Sequence, residues 1–205
     1  MSPSIETTHD PVARGWSFLK CFVRNPREVG ALCPSTRHLG DAMLIGLDLQ
    51  RDDVVVEYGP GTGSLTEAIR RRSDQVGGLR YLGIEREAAF CSILQRRFPG
   101  FEFAHAQVED VRSLLDARGL PAPKAIISGL PLIFLPTRRD ILRTASAVLG
   151  GGGSFRTFTY LQSWIMPAAR DVRQTMRKSF STFGCSSVVW RNFPPALVLR
   201  GDKSD

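Results

Sequence analysis

Residues 54–63 of this chain, VVVEYGPGTG, place three glycines at alternate positions directly after an apolar run. We predict a buried strand over residues 53–58 and a helix over residues 63–72, because β-branched side chains favour strands and apolar positions then recur at helical spacing. The glycines allow the backbone to turn sharply and to approach a ligand without an intervening Cβ atom. A strand, a glycine loop and a helix in this order are typical of an open α/β sheet, whose ligands bind at the carboxyl ends of parallel strands.

The alternation of strands and helices continues along the chain. Further strands are predicted at residues 79–85, 101–105, 124–128 and 154–160, with helices between them at residues 86–98, 110–118 and 136–149. The remaining predictions are a long helix over residues 165–183 and a hairpin of residues 187–192 with residues 196–200. Repeated β-α units imply a parallel sheet with helices on both faces. We therefore expect an α/β fold, doubly wound, with a mainly parallel seven-stranded Rossmann-like sheet and a C-terminal antiparallel hairpin.

A separate N-terminal segment, residues 1–30, is expected to precede the main domain of residues 31–205. Apolar residues recur at helical spacing from Val12 to Val23, which predicts an amphipathic helix over residues 12–24. Arg and Lys side chains lie on its other side, a pattern typical of a helix that lies in a membrane interface. Packing of the same apolar face onto the domain core is the alternative.

Composition narrows the class of protein. Apolar residues make up 42% and charged residues 23% of the chain, as in soluble globular proteins. The formal net charge of +7 favours anionic partners. The four cysteines form no Cys-x-x-Cys pair and no His stands at zinc-ligand spacing, so we expect no metal and a reduced, cytoplasmic environment. No secretory signal and no apolar run of bilayer-spanning length is visible in the sequence.

Two acidic residues accompany the glycine loop. Glu57 stands two residues before the first glycine, and Glu85 ends the second predicted strand, where a carboxylate can accept hydrogen bonds from ribose hydroxyls. The spacing of Gly59, Gly61 and Gly63 departs from Gly-x-Gly-x-x-Gly, so a nicotinamide dinucleotide is not favoured.

The pattern Glu-x-Gly-x-Gly-x-Gly resembles motif I of the class I methyltransferases, which use S-adenosyl-L-methionine as the methyl donor. The resemblance implies that the loop holds the methionine part of this cofactor through three glycines, Gly59, Gly61 and Gly63. It further implies that Glu85 binds the ribose and that Glu57 orients the amino group of the cofactor.

Two more residues are assigned to the cofactor by the same resemblance. Class I methyltransferases often carry an acid after the third strand that contacts the adenine amine. Gln107 stands in that place here, and its amide oxygen can still accept a hydrogen bond from an amine. Ser128, at the end of the fourth predicted strand, completes the predicted cofactor site.

Several further blocks resemble the bacterial phospholipid N-methyltransferases. They are residues 22–31 (FVRNPREVGA), 34–37 (PSTR), 128–132 (SGLPL), 158–160 (FTY) and 191–196 (RNFPPA). The resemblance implies successive methylation of phosphatidylethanolamine towards phosphatidylcholine. Close relatives in that family methylate the amine of ornithine lipids.

Candidate acceptor residues follow from their positions. Tyr160 ends the fifth predicted strand, at the active edge of the sheet, and is predicted to be catalytic; a half-buried structural tyrosine is the alternative. The candidates for binding the lipid phosphate are Arg24, Arg27, Arg37 and Arg191. Solvated surface arginines are the alternative for each of them.

The predicted partners are a lipid headgroup and an anionic membrane surface, the latter contacted through residues 12–24. We expect a cytoplasmic protein that associates peripherally with the inner face of the membrane, and no protein partner is predicted. The alternative function is that of an rRNA adenine dimethyltransferase, which carries Asn-Leu-Pro-Tyr or Asn-Leu-Pro-Phe after strand four and stacks the ring on a flipped base. Here Ser128 or Gly129 replaces the asparagine and Leu132 the ring, so nucleic acid is not expected.

Overall fold

The computed structural model of this protein describes residues 35–205, with side chains from Arg37 onward. The predicted segment of residues 1–30 and its helix over residues 12–24 lie outside the described residues, as do Arg24 and Arg27.

Strands and helices alternate through the first two thirds of this region. The strands are β1 (Val54–Tyr58), β2 (Arg80–Glu85), β3 (Glu102–His105), β4 (Ala125–Ser128), β5 (Ser154–Tyr160), β6 (Thr182–Cys185) and β7 (Ala196–Asp202). The α-helices are α1 (Ser35–Leu44), α2 (Ser64–Val76), α3 (Ala88–Arg97), α4 (Val111–Asp116), α5 (Arg138–Val148) and α6 (Pro167–Ser179). Short 3-10 turns at Val108–Asp110, Leu132–Phe134 and Leu161–Ser163 follow β3, β4 and β5.

The seven strands form one sheet in the order β3-β2-β1-β4-β5-β7-β6. The pairs among β1 to β5 are parallel, whereas β7 is antiparallel to both β5 and β6. The predicted doubly wound, mainly parallel sheet with an antiparallel C-terminal hairpin is therefore confirmed. Because the parallel strands all end at the same edge, the loops that follow β1, β2, β4 and β5 lie together there.

The residues of the C-terminal hairpin differ from the prediction. The strand that pairs with β7 is Thr182–Cys185, which lies partly inside the segment predicted to be helical. Residues 187–192, predicted as the strand, contribute a single bridge between Val189 and Ala196. The chain turns within this segment instead of extending, since the Asn192 N–H donates to the Val189 carbonyl at 3.1 Å.

The two faces of the sheet are covered by different helices. Side chains alternate between faces along a strand, so Val54, Val56 and Tyr58 share one face and Val55 and Glu57 the other. The first face packs against α4, α5 and α6. The second face packs against α1, α2 and α3. All five residues of β1 are buried, because neighbouring strands flank it on both sides as well.

A glycine near the end of β7 is required by packing on the first face. Phe180, just after α6, stacks on Phe155 of β5 with ring centroids 5.7 Å apart. A Cβ atom at Gly201 would lie 2.5 Å from the Phe180 ring, well inside van der Waals contact. Gly201 therefore allows this ring to lie directly on the strand.

We expect Gly201→Ala to lower the free energy of unfolding by about 1–3 kcal/mol, because the Phe180 ring must move to admit the methyl group. Gly150→Ala is the matched control, since its nearest neighbour would be Ala122 Cβ at an ordinary 3.5 Å. Urea denaturation of both variants measures the difference. Equal stability of the two variants would contradict the packing argument.

Candidate active site

The loop between β1 and α2 contains three glycines with different surroundings. A Cβ atom at Gly59 would lie 2.6 Å from Leu130 Cδ2, and one at Gly63 would lie 2.7 Å from Phe98 Cε2. At Gly61 the nearest atom would be the Gly59 carbonyl oxygen at 3.9 Å, so that side of the loop is open. Gly61 also has a φ of 56°, in the left-handed region. The outer two glycines thus admit neighbouring side chains, and Gly61 leaves room for a ligand.

Glu57 is a fully buried carboxylate on β1, next to the glycine loop. Its Oε2 accepts hydrogen bonds from the Tyr81 hydroxyl at 2.5 Å and the Thr66 hydroxyl at 2.8 Å. Its Oε1 is buried and has no hydrogen-bond partner among the described residues. Burial raises the pKa of Glu57 to about 7, with a smaller contribution from the charge of Glu85, while the two hydroxyls lower it. The free oxygen can accept a hydrogen bond from a cationic ligand.

Glu85 ties the end of β2 to the glycine loop. Its carboxylate accepts a hydrogen bond from the Gly61 N–H at 2.9 Å and one from the Glu87 N–H at 3.0 Å. A carboxylate has about four acceptor positions, so both oxygens retain capacity for a ligand hydroxyl. Because β1 and β2 are neighbours and parallel, Glu57, Gly61 and Glu85 are brought to the same edge of the sheet.

Gln107 and Ser128 lie at the same edge in different settings. Gln107 follows β3 and is exposed, and the preceding Ala106 N–H donates to the Glu85 carbonyl at 3.1 Å. Ser128, at the end of β4, is fully buried, and its hydroxyl oxygen accepts a hydrogen bond from the Leu130 N–H at 3.3 Å. Ser128 therefore shapes the turn after β4, and the cofactor roles of both residues stay predictions.

Tyr160 ends β5, and the strand β4 separates it from β1. Its ring packs edge-on to Phe158 with centroids 5.6 Å apart, on the sheet face that Glu57 shares. Burial raises the pKa of Tyr160, so the phenol keeps its proton at neutral pH. Such a hydroxyl can orient an amine but is poorly suited to remove a proton from it.

The two described arginines of the predicted phosphate site lie in different elements of the fold. Arg37 is exposed in the first turn of α1. Arg191 is exposed in the connection between β6 and β7, where it lines a cavity of about 540 Å³ together with Arg156 and Arg200. Sequence reasoning missed Arg156 and Arg200, although an arginine in the otherwise uncharged strand SFRTFTY is a detectable signal.

Sequence reasoning also missed Thr66 and Tyr81, the two donors to Glu57. Thr66 lies in the first turn of α2, and Tyr81 lies on β2. Their contacts with Glu57 can be identified only once the packing of α2 and β2 against β1 is known.

Within residues 35–205, no helix is both long and apolar enough to span a bilayer. The same part of the chain holds no group of three His, Cys, Asp or Glu side chains arranged to bind a metal ion.

Known proteins resemble this chain in sequence and in fold, although no family model matches it. An ornithine lipid N-methyltransferase of Singulisphaera acidiphila is 29% identical over 153 residues, 72% of this chain and 78% of that protein. A ribosomal RNA small subunit methyltransferase A of Thermotoga neapolitana is 30% identical over 115 residues, 56% of this chain but only 41% of that protein. Among solved structures, a TehB-like SAM-dependent methyltransferase of Corynebacterium glutamicum has the same fold, with a TM-score of 0.59 at 15% identity, covering 94% of this chain and 99% of that one.

The geometry of the site fits S-adenosylmethionine, which carries an ammonium group, a sulfonium and two ribose hydroxyls. The open side of Gly61, the unpartnered oxygen of Glu57 and the remaining acceptor positions of Glu85 are the features that such a ligand requires. With the confirmed sheet order and the sequence relatives, they support S-adenosylmethionine as the cofactor and methyl transfer as the reaction.

Proposed function

We propose that this methyltransferase N-methylates the amine of a zwitterionic membrane lipid. Phosphatidylethanolamine is the acceptor implied by the sequence resemblance, and ornithine lipid is the acceptor named for the relative from Singulisphaera acidiphila. The observation that carries the proposal is a group of exposed apolar side chains at the edge of the sheet that holds the glycine loop.

This apolar rim consists of Phe134, Leu161, Ile165, Met166, Trp190 and Phe193, whose exposed fractions run from 37% to 89%. They account for six of the eight large hydrophobic residues that are exposed within the described part of the chain. All six lie in the connections that follow β4, β5 and β6, whose carboxyl ends share one edge of the sheet. Exposed apolar side chains gathered beside a cofactor site mark an interaction surface rather than scattered surface residues.

A bilayer is the partner that suits this rim. Trp and Phe side chains favour the region between lipid headgroups and acyl chains, and nearby Lys or Arg side chains each contribute about 1 kcal/mol at an anionic surface. Arg191 is exposed in the connection after β6, and Arg170 is exposed in the first turn of α6. The rim thus supports a peripheral enzyme at the inner face of the membrane, with residues 12–24 as a second proposed contact.

The segment after β4 favours a lipid over an adenine base. The position at which rRNA adenine dimethyltransferases carry a stacking ring is occupied by Leu132, which is 3% exposed and packs in the core. A buried leucine offers no surface for a flipped base.

Each residue of the site has a proposed contribution to methyl transfer. Bound S-adenosylmethionine supplies a methyl group that its sulfonium has already activated. Glu57 would hold the ammonium group of the cofactor, Glu85 would hold the ribose, and Gly61 admits the chain between them. A lipid amine with a lysine-like pKa is about one part in a thousand neutral at pH 7, and desolvation near the half-buried Tyr160 favours the neutral form. The Tyr160 oxygen can then accept an amine N–H and orient the nitrogen lone pair.

Gly61→Ala should weaken S-adenosylmethionine binding by roughly tenfold or more, because the methyl group fills the open side of the loop at a cost of about 1.4 kcal/mol or more. Gly100→Ala is the matched control, since Gly100 also has a left-handed φ, of 89°, and open space around its Cβ position. Calorimetric titration with the cofactor measures both affinities. Similar affinities in the two variants would remove Gly61 from the cofactor site.

Glu57→Gln should raise the melting temperature of the ligand-free protein at pH 8 and change it little at pH 5. Between the ordinary pKa of 4.5 and the native value of about 7, native Glu57 retains a proton that the unfolded chain has lost. The free energy of unfolding therefore falls as pH rises through this window, and the neutral amide removes that loss.

The same variant should bind the cofactor roughly tenfold or more weakly, since a hydrogen bond to a charged group contributes about 1.5–3 kcal/mol. Glu109→Gln, at an exposed position, is the control for both measurements. A melting temperature of Glu57→Gln that is lower at pH 8 than that of the unaltered protein would refute the assignment of a costly buried charge.

The proposed substrate is tested with labelled S-adenosylmethionine and three acceptors: phosphatidylethanolamine vesicles, ornithine lipid vesicles and rRNA. We expect label in a lipid. Replacing Ile165 and Trp190 by serine should reduce vesicle binding about tenfold or more, as expected from losing two interfacial apolar side chains. Ile93→Ser is the control, because Ile93 is 48% exposed but lies on α3, away from the rim. Labelling of rRNA and of no lipid would overturn the proposal.

A further inference from the structure

A cavity of about 540 Å³ is lined by residues of α1, of β5 and β7, and of the connection that follows β6. We call it the basic cavity, because its lining includes His38, Arg156, Arg191 and Arg200. Among the described residues, no Asp or Glu and no member of the glycine loop lines it. The basic cavity is thus separate from the proposed cofactor site, and its size and charge suit a small organic anion.

Arg156 is the unusual member of this lining. It lies on β5 and is only 4% exposed, and its Nε has no hydrogen-bond partner among the described residues. It forms an ion pair with Asp202, whose Oδ1 lies 3.7 Å from Arg156 Nη2 and also accepts a hydrogen bond from the Ser154 hydroxyl. A guanidinium stays charged in proteins, so this long contact compensates the buried charge only in part.

A second arginine adds positive charge beside the first. Arg200 is the direct cross-strand partner of Arg156 on β7, and like charges in such a pair destabilise a sheet. Burial lowers the pKa of Arg156, the charge of Asp202 raises it, and the charge of Arg200 lowers it again. A phosphate monoester carries close to two negative charges at pH 7, so it matches two arginines that line one cavity.

The rest of the lining is largely apolar. Ile45 is 72% exposed and Trp190 is 71% exposed, although both line the cavity. Ala42, Val189 and Val198 add further apolar surface to it. A ligand that joins an oxyanion to an apolar group would therefore contact both kinds of lining, as small-molecule sites generally require.

The basic cavity is also separate from the proposed position of the acceptor amine. Arg156 and Tyr160 lie four residues apart on β5, which is about 13 Å along the strand. The amine and the anion of one lipid headgroup lie much closer together than this. An anion bound by Arg156 therefore belongs to a different molecule from the acceptor.

We propose that the basic cavity is a second ligand site, which binds a small organic phosphate monoester that is neither the cofactor nor the methyl acceptor. Arg156 and Arg200 bind the phosphate, and Ile45 and Trp190 contact the apolar part of the ligand. The inference goes beyond the proposed function and holds whichever amine is methylated.

Calorimetric titration of the full chain with phenyl phosphate tests the site. We expect phenyl phosphate to bind, inorganic phosphate to bind more weakly, and benzylamine, which has the ring but a positive charge, not to bind. Arg156→Met and Arg200→Met should each weaken phenyl phosphate binding roughly tenfold or more, because each removes charged hydrogen-bond donors. Trp190→Ser should weaken phenyl phosphate binding roughly fivefold and change inorganic phosphate binding less than about twofold, since it removes apolar contact alone.

Melting temperatures separate a binding role of Arg156 from a structural one. Without ligand, Arg156→Met should melt at the same temperature as the unaltered protein or higher, because a buried, partly compensated charge is lost. Asp202 keeps the hydroxyls of Ser154 and Thr182 as donors in this variant. Phenyl phosphate should raise the melting temperature of the unaltered protein and have little effect on the variant. A variant that is less stable but binds phenyl phosphate as well as the unaltered protein would show that Arg156 is structural, and would overturn the proposal.

Arg51→Met is the matched control, because its side chain is 74% exposed and does not line the cavity. It should bind phenyl phosphate as the unaltered protein does. Arg200→Met, at an exposed strand position, tests the site even if Arg156→Met fails to fold.

Saturating S-adenosylmethionine should leave the affinity for phenyl phosphate unchanged, because the two sites are separate. Displacement of phenyl phosphate by the cofactor, absence of binding, or equal affinity in Arg200→Met and the unaltered protein would each overturn the proposal. Equal affinities for phenyl phosphate and inorganic phosphate would overturn the assignment of an organic ligand. No readout depends on methyl transfer, so failure of the proposed function leaves this test unaffected.

Discussion

Burial of the central strand on both of its faces is the constraint around which the active site is built. β1 lies between β2 and β4, helices cover both faces, and Glu57 is therefore removed from water. This burial raises the pKa of Glu57 to about 7, although two hydroxyls donate to one carboxylate oxygen and lower it; the other oxygen has no described partner. A fold optimised only for stability would place an apolar residue there, and the carboxylate is the kind of local conflict expected where a ligand binds.

The glycine loop connects β1 to the neighbouring strand β2 through packing and a hydrogen bond. Gly59 and Gly63 bring the loop against Leu130 and Phe98, which leaves Gly61 as the open position. The Glu85 carboxylate accepts the Gly61 N–H and so fixes the loop relative to β2. These packing contacts and this hydrogen bond fix the conformation of the loop in the absence of a ligand. Less conformational entropy is therefore lost when a ligand binds.

The insertion of β7 between β5 and β6 brings together residues that are distant along the chain. It sets Arg200 opposite Arg156, and it returns the chain through residues 186–195 at the carboxyl edge of the sheet. One topological feature therefore supplies both the cavity lined by Arg156, Arg191 and Arg200 and two members of the apolar rim, Trp190 and Phe193. The glycine loop and the apolar rim lie at the same edge of the sheet, with β4 between β1 and β5.

By itself, the sequence determined the alternation of β1 to β5 with their helices, the glycine loop, and the acids Glu57 and Glu85, because these depend on short-range periodicity and on residues that follow directly from strand ends. Only the tertiary structure decided that β6 begins at Thr182, that Gly61 alone of the three loop glycines faces open space, and that Leu132 is buried. It also decided that Arg156 faces Arg200, since the residues that meet across a sheet are distant along the chain. The local sequence pattern indicates which side of a strand is apolar. Long-range pairing decides which other strand completes its hydrogen bonds, and therefore which charged side chains come together.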